Sequence, residues 1–258
     1  MKNEFLSVTE LAGDDVTQEQ VDRFYHRYYW AGKLCNGKDV LEIACGSGQG
    51  LNYLLKMSKS LQAGDYSKPL LNIALSNYGD KIPLKQFDAC NMPYKDNSID
   101  VIILFEAIYY LSSASDFVAE CKRVLRKNGS VLICTANKDL YDFNPSPYSY
   151  KYYGPVELTE LFSKQNFTTE CFGAFPANDI HWLYNILRPI KKTAVNLNLI
   201  PRSMNGKKLI KRLIFGKLVK MPEEINDDMF SFVEPVRIPA FEADLKHLVI
   251  YCVAKLKK

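Results

Sequence analysis

The chain has 258 residues, 47% hydrophobic and 24% charged, with a formal net charge of +4. This is ordinary globular composition, long enough for one substantial α/β core, and it holds no apolar run approaching the ~18 residues of a membrane span. Its seven cysteines are odd in number and scattered (Cys35, Cys45, Cys90, Cys121, Cys134, Cys171 and Cys252), with no zinc-ligand spacing, so they read as reduced core thiols of a cytoplasmic protein without a structural metal.

In chain order, Met1 to Val16 is polar and acidic rather than basic and then apolar, which predicts neither secretion nor membrane insertion. Residues 1–36 read as a helical lead-in with an aromatic stretch, Phe24 to Trp30. Short apolar β-type runs then alternate with amphipathic helix-length ones, the pattern of a parallel sheet covered on both faces. Strands are predicted at Asp39–Ala44, Leu61–Asp65, Pro83–Asp88, Asp100–Glu106 and Ser130–Ala136, and helices at Gly50–Ser58, Ser67–Asn77 and Ser115–Arg126. Asn128-Gly129 supplies a residue tolerant of a left-handed stop. A helix at Pro155–Gln165 and strands at Phe167–Phe175 and His247–Leu256 complete the set, so residues 37–175 form the core and 247–258 its last strand. Residues 176–246 interrupt the alternation and read as a cap inserted within one domain.

Three acidic positions stand at strand ends. Val40-Leu-Glu-Ile-Ala-Cys-Gly-Ser-Gly-Gln-Gly50 is an apolar strand entering a glycine turn and then a helix. Gly46 and Gly48 let backbone approach a ligand, and the helix start offers free N–H groups. A nucleotide-binding turn and a plain tight turn both fit that spacing. Glu42 narrows the choice, because a carboxylate in this strand suits a ligand bearing an ammonium group; its alternative is a strand-end carboxylate bonded to backbone. Asp65 closes the next strand, where a carboxylate accepts ribose hydroxyls in doubly wound folds, or else caps the following helix. Tyr66 could place a ring against the nucleoside. Asp88, with Ala89, closes the third strand and could accept from an adenine amine or simply shape a turn.

With these residues in order, the chain resembles the class I S-adenosylmethionine-dependent methyltransferases, and within them the methyltransferase type 11 family, over about Gly37 to Thr135. The resemblance implies a Rossmann-like, mostly parallel seven-stranded sheet with an antiparallel C-terminal strand. It implies S-adenosyl-L-methionine as cofactor and S-adenosyl-L-homocysteine as product. Glu42, Ala44, Cys45, Gly46 and Gly48 would lie on the methionine side, Asp65 and Tyr66 at the ribose, Asp88 and Ala89 at the adenine, and Glu106 beside the sulfonium. Ala44 departs from the family's usual glycine, which is harmless if φ is negative there.

Displacement at a sulfonium needs alignment and exclusion of water more than a dedicated base. Tyr109 and Tyr110 after the fourth strand, and Asp139, Asp142 and Asn144 after the fifth, are candidates for contact with the acceptor or its proton. Each has a plainer role in packing or turns. His26 and His181 could act as bases, although isolated histidines are more often structural. Between Arg188 and Lys220 lie ten Lys or Arg and no Asp or Glu, leaving the rest net acidic. That basic stretch fits a solvated cap helix, a site for an anionic acceptor such as a phosphate-bearing sugar, or peripheral contact with a membrane surface. Nucleic acid is a weaker partner for so short a segment. Phe143 to Tyr150 and Leu199 to Lys220 look like methyltransferases of polysaccharide biosynthesis, which points to a small-molecule acceptor, a saccharide or a nucleotide- or lipid-linked sugar. Two rivals are a nicotinamide-dependent oxidoreductase and a non-catalytic S-adenosylmethionine-binding protein.

Overall fold

A computed structural model describes residues 5–7, 9, 11–177, 193, 218–226 and 230–257. A short strand β1 (Asp15–Val16) leads into helix α1 (Gln18–Cys35). Thr17 starts the helix by a reciprocal cap: its Oγ1 accepts from the Gln20 N–H at 3.3 Å and its own N–H donates to Gln20 Oε1 at 3.1 Å. From there the chain alternates through β2 (Asp39–Ile43), α2 (Leu51–Met57), β3 (Ser60–Asp65), α3 (Lys68–Tyr78), β4 (Leu84–Gln86), β5 (Ile99–Phe105), α4 (Ala114–Val124), β6 (Leu125–Ala136), α5 (Pro155–Ser163) and β7 (Phe167–Pro176). Three later strands are β8 (Val219–Lys220), β9 (Val236–Ile238) and β10 (His247–Leu256).

The main sheet runs β4-β3-β2-β5-β6-β10-β7-β9. β4, β3, β2, β5 and β6 are parallel, and β10 runs against both β6 and β7, forming the expected terminal hairpin. The central strands are buried on both faces, and neighbouring residues feed different layers. Val40, Val101 and Ile103 pack with the aromatic side chains of α1 and with α2, whereas Leu41, Ile102 and Leu104 pack with α4 and α5. The unbroken apolar runs in the sequence follow from this two-sided burial.

The structure corrects the expectation in two places. The sheet has eight strands, not seven, because Val236–Ile238 pairs antiparallel with Cys171–Gly173 of β7. The segment read as a cap therefore returns part of itself to the body. Val219–Lys220 also pairs with Asp15–Val16, and Ile225 N–H donates to Gln49 O at 3.3 Å. Helix α4 stops at Val124, two residues short of the predicted end, since Arg126 is drawn to Asp39 (2.7 Å) and Asp100 (3.0 Å) across the foot of the sheet. Asn128 takes a left-handed φ of +65°, but within the irregular start of β6 rather than as the helix stop. Among the described residues no helix is long and apolar enough to cross a membrane.

Candidate active site

The chain leaves β2 by α2 to β3 and β4 on one side, then crosses to β5 on the other, so β2 and β5 flank the point where strand order reverses. Ligands of doubly wound sheets bind above such a point. Here both strands end on a residue with left-handed backbone, Ala44 (φ +56°) and Glu106 (φ +49°). Their chains splay apart beneath a cleft of about 760 Å³, within the size range of small-molecule sites.

Asp65 organises one wall. Its Oδ2 accepts from Gly46 N–H at 2.8 Å and its Oδ1 from Ser67 N–H at 2.7 Å, tying the glycine turn to the start of α3. Burial raises its carboxyl above the ordinary value, and those two N–H groups pull it back. A carboxylate has about four acceptor positions, so two remain for a diol. A Cβ on Gly46 would meet only Thr9 Cγ2 at 3.9 Å, and its φ of +59° favours glycine. This turn therefore presents bare backbone to the cleft. Gly48 serves differently: a Cβ there would press Ala74, Leu51 and Tyr78 at 3.1 Å, so it admits packing rather than a ligand.

Glu42 lies beneath the floor instead of on it. It is 2% exposed, its Oε1 accepts from Tyr28 OH at 2.7 Å, and its buried Oε2 has no partner. Burial outweighs the Tyr28 hydrogen bond and nearby Arg27, and pushes the carboxyl up to about 7. The Tyr28 ring covers Glu42 and lines the cleft; a Cβ on Gly50 would come within 2.0 Å of that ring. Gly50 is therefore the glycine that seats Tyr28.

Ala44, Cys45, Gly46, Asp65, Tyr66, Asp88, Ala89, Glu106, Tyr109 and Tyr110 all line this cleft. Asp88 Oδ1 accepts from Cys90 N–H at 2.8 Å, so one of its oxygens also shapes the turn. Burial drives the Cys45 thiol well above its ordinary value, which leaves it a packing group. Tyr109 OH donates to Glu106 Oε2 at 3.0 Å, and its ring stacks on Tyr152 at 4.2 Å. Burial first, then the Glu106 charge, raise the Tyr109 hydroxyl far above its ordinary range; it stays protonated and keeps its proton for the bond to Glu106.

Two expected candidates lie elsewhere. His26 is packed among Phe175, Phe230, Phe232 and Tyr251, with Nδ1 2.7 Å from Tyr251 OH and Nε2 2.8 Å from Val233 O. Both ring nitrogens are engaged away from the cleft, so its role is structural. Asp139 pairs with Lys138, which also holds Glu157 at 2.7 Å, and its Oδ2 packs against Gly154; it fixes the turn before α5. Asp142 and Asn144 do not line the cleft either. His181 and most of the basic stretch 188–220 lie outside the described residues.

Helix α1 contributes a face that the sequence reading passed over. Gln20, Arg23, Phe24, Arg27 and Tyr28 line the cleft at the i, i+3, i+4, i+7, i+8 spacing of one helical face. That spacing was visible in the sequence. His26 drew attention by its residue type, although it faces another way.

Ala44 carries its own prediction. The methyl is not harmless here, since φ is +56°, and a non-glycine residue in that region costs about 1–2 kcal/mol. Ala44→Gly is expected to raise stability by about 1 kcal/mol in denaturant unfolding. An unchanged or lower midpoint would show that the methyl's packing outweighs the strain.

Comparison with known proteins agrees with this geometry. Residues 41–133 match the family described as methyltransferase domain. A Mycolicibacterium smegmatis protein named probable S-adenosylmethionine-dependent methyltransferase is 30% identical over 140 residues, 53% of this chain and 54% of that one. A phthiotriol/phenolphthiotriol dimycocerosates methyltransferase of Mycobacterium ulcerans is 34% identical over 133 residues, covering 49% of this chain and 47% of its own. The chain thus spans about half the length of these curated relatives. The crystal structure of an S-adenosylmethionine-dependent methyltransferase from Thermotoga maritima superposes with a TM-score of 0.58 at 13% identity, over 92% of each chain, which speaks for the shared Rossmann-like fold.

Proposed function

We propose that this chain, whose residues 41–133 match the methyltransferase domain family, is an S-adenosylmethionine-dependent methyltransferase of the type 11 family with S-adenosyl-L-methionine as cofactor, and that it methylates a small acceptor, a saccharide or a nucleotide- or lipid-linked sugar, in the cytoplasm. One observation carries the reading: the cleft at the β2/β5 crossover, walled by a glycine turn that Asp65 holds open. The residues present fit the cofactor. Bare backbone at Gly46, acceptor capacity on Asp65 and Asp88, and a deep carboxylate at Glu42 suit a nucleoside joined to an amino acid. When bound, the sulfonium supplies an activated methyl group.

The chain's own task is to align the acceptor and keep water out. Tyr66, Tyr148 and Tyr150, respectively 62%, 52% and 68% exposed, line the cleft together with Tyr110 and Phe5. Rings with polar tips suit a sugar or lipid headgroup, which has both apolar and hydroxyl-bearing sides. Tyr150 N–H donates to Tyr109 O at 2.7 Å, which ties this rim to the Tyr109–Glu106 pair. For a hydroxyl acceptor, Glu106 takes the proton, with Tyr109 holding its Oε2. A cytoplasmic setting is read from the seven scattered cysteines of the sequence. The nicotinamide and non-catalytic alternatives find no support among the relatives.

The test is calorimetric titration with S-adenosyl-L-homocysteine beside NAD, followed by methyl transfer from S-adenosyl-L-methionine to panels of saccharides and lipid-linked sugars. Uptake of S-adenosyl-L-homocysteine alone, with turnover on one panel, is expected. Binding of NAD alone, or of neither, would overturn the reading.

A further inference from the structure

The cleft is electrostatically divided. Its carboxylates (Asp65, Asp88 and Glu106) stand at the ends of β3, β4 and β5, whereas two guanidinium groups, Arg23 and Arg27, enter from α1. Arg23 reaches toward the β7 side of the cleft: its Cζ sits 5.8 Å from the ring of Phe175 in β7, and β7 is five strands removed from β3, which carries Asp65. At ~4.8 Å per strand that is on the order of 20 Å. Arg23 therefore borders the part of the cleft left over once a nucleoside lies along Asp65 and Asp88.

Its guanidinium is only partly used. One arm pairs with Glu19 on the preceding turn, yet Nε is buried without any acceptor. A desolvated donor with nothing to bond is rare in folded proteins, and it calls for a group that the fold itself does not supply. The guanidinium fork matches an oxyanion, carboxylate or phosphate, better than it matches a neutral hydroxyl. Arg27, one turn further along the same face, adds positive charge to the site.

We propose that Arg23, supported by Arg27, is a specificity-determining residue that binds an oxyanion on the methyl acceptor, so that the acceptor is a carboxylate- or phosphate-bearing molecule rather than a neutral one. This rests on the methyl-transfer reading of the cleft. It adds a charge requirement and places it on described residues of α1.

The experiment follows the arginine Nε–Hε resonances of the S-adenosyl-L-homocysteine-loaded protein during separate titrations with methyl phosphate and sodium acetate, with Arg23→Gln alongside. The Arg23 signal is expected to shift saturably with at least one anion, and the tighter arm distinguishes phosphate from carboxylate. Arg23→Gln should weaken that binding at least tenfold and leave the affinity for S-adenosyl-L-homocysteine within threefold. An unmoved Arg23 resonance, or equal anion binding by the variant, overturns the proposal. Loss of S-adenosyl-L-homocysteine binding in Arg23→Gln also overturns it, since Arg23 would then serve the cofactor's own carboxylate. If wild type takes up no S-adenosyl-L-homocysteine, the methyltransferase reading falls separately, and the same titrations on the free protein still decide for or against the anion site.

Discussion

Asp65→Ala is expected to weaken S-adenosyl-L-homocysteine binding about a hundredfold while lowering stability by no more than about 1 kcal/mol. The two effects separate because the carboxylate has two tasks. Within the protein it accepts from the Gly46 and Ser67 N–H groups. Its removal orphans both donors but also ends the burial of a charge, whose cost shows in the raised carboxyl, so the balance for folding is small. Toward a ribose diol it offers charge-assisted acceptance, worth about 1.5–3 kcal/mol per bond. A combined loss near 3 kcal/mol is about two decades in affinity. Asp65→Asn, which keeps one acceptor oxygen, should fall between, near tenfold. Calorimetric titration of the three proteins gives the ratios directly. Affinity within threefold of wild type in the alanine variant would mean that Asp65 merely braces the turn.

What the sequence disclosed and what it hid divide by physical cause. Strands such as His247–Leu256 were legible because burial on both faces leaves a continuous apolar run between polar ends. The glycine-turn wall of the cleft was legible because Gly46 and Asp65 sit at fixed offsets from a strand, where local geometry alone brings them together. The opposite side of the cleft depends on tertiary placement. Nothing near Arg23 in the chain says that it will face Phe175, and no local rule makes Val236–Ile238 the partner of Cys171–Gly173. His26 and Asp139 misled for the complementary reason. Residue type suggested chemistry, while their neighbours, Tyr251 and Val233 for the one and Lys138 for the other, occupy them structurally. Ala44 is subtler still: the substitution for glycine was visible, but its cost depends on a φ that only the folded turn defines.

The second large effect comes from Glu42. Its carboxyl rises from an ordinary 4.5 to about 7 in the folded chain, so between those values the folded state holds a proton that the unfolded state has released. Stability therefore falls as pH increases through this window, by about 3 kcal/mol in all, and the full cost persists above it. Glu42→Gln keeps an acceptor for Tyr28 OH but cannot ionise. Whatever the amide itself costs, the stability of the variant relative to wild type should improve by about 3 kcal/mol between pH 4 and pH 8. For a chain of this length that is on the order of 6–12 °C in relative melting temperature. Parallel melts of both proteins across that range measure it, and a difference independent of pH would show that Glu42 stays ionised or protonated throughout. The same buried charge bears on function. A ligand carrying an ammonium group relieves part of the cost of ionising Glu42, so wild-type affinity for S-adenosyl-L-homocysteine should rise as pH passes 7 and stay flat in Glu42→Gln. A parallel rise in both proteins would trace that dependence to the ligand instead.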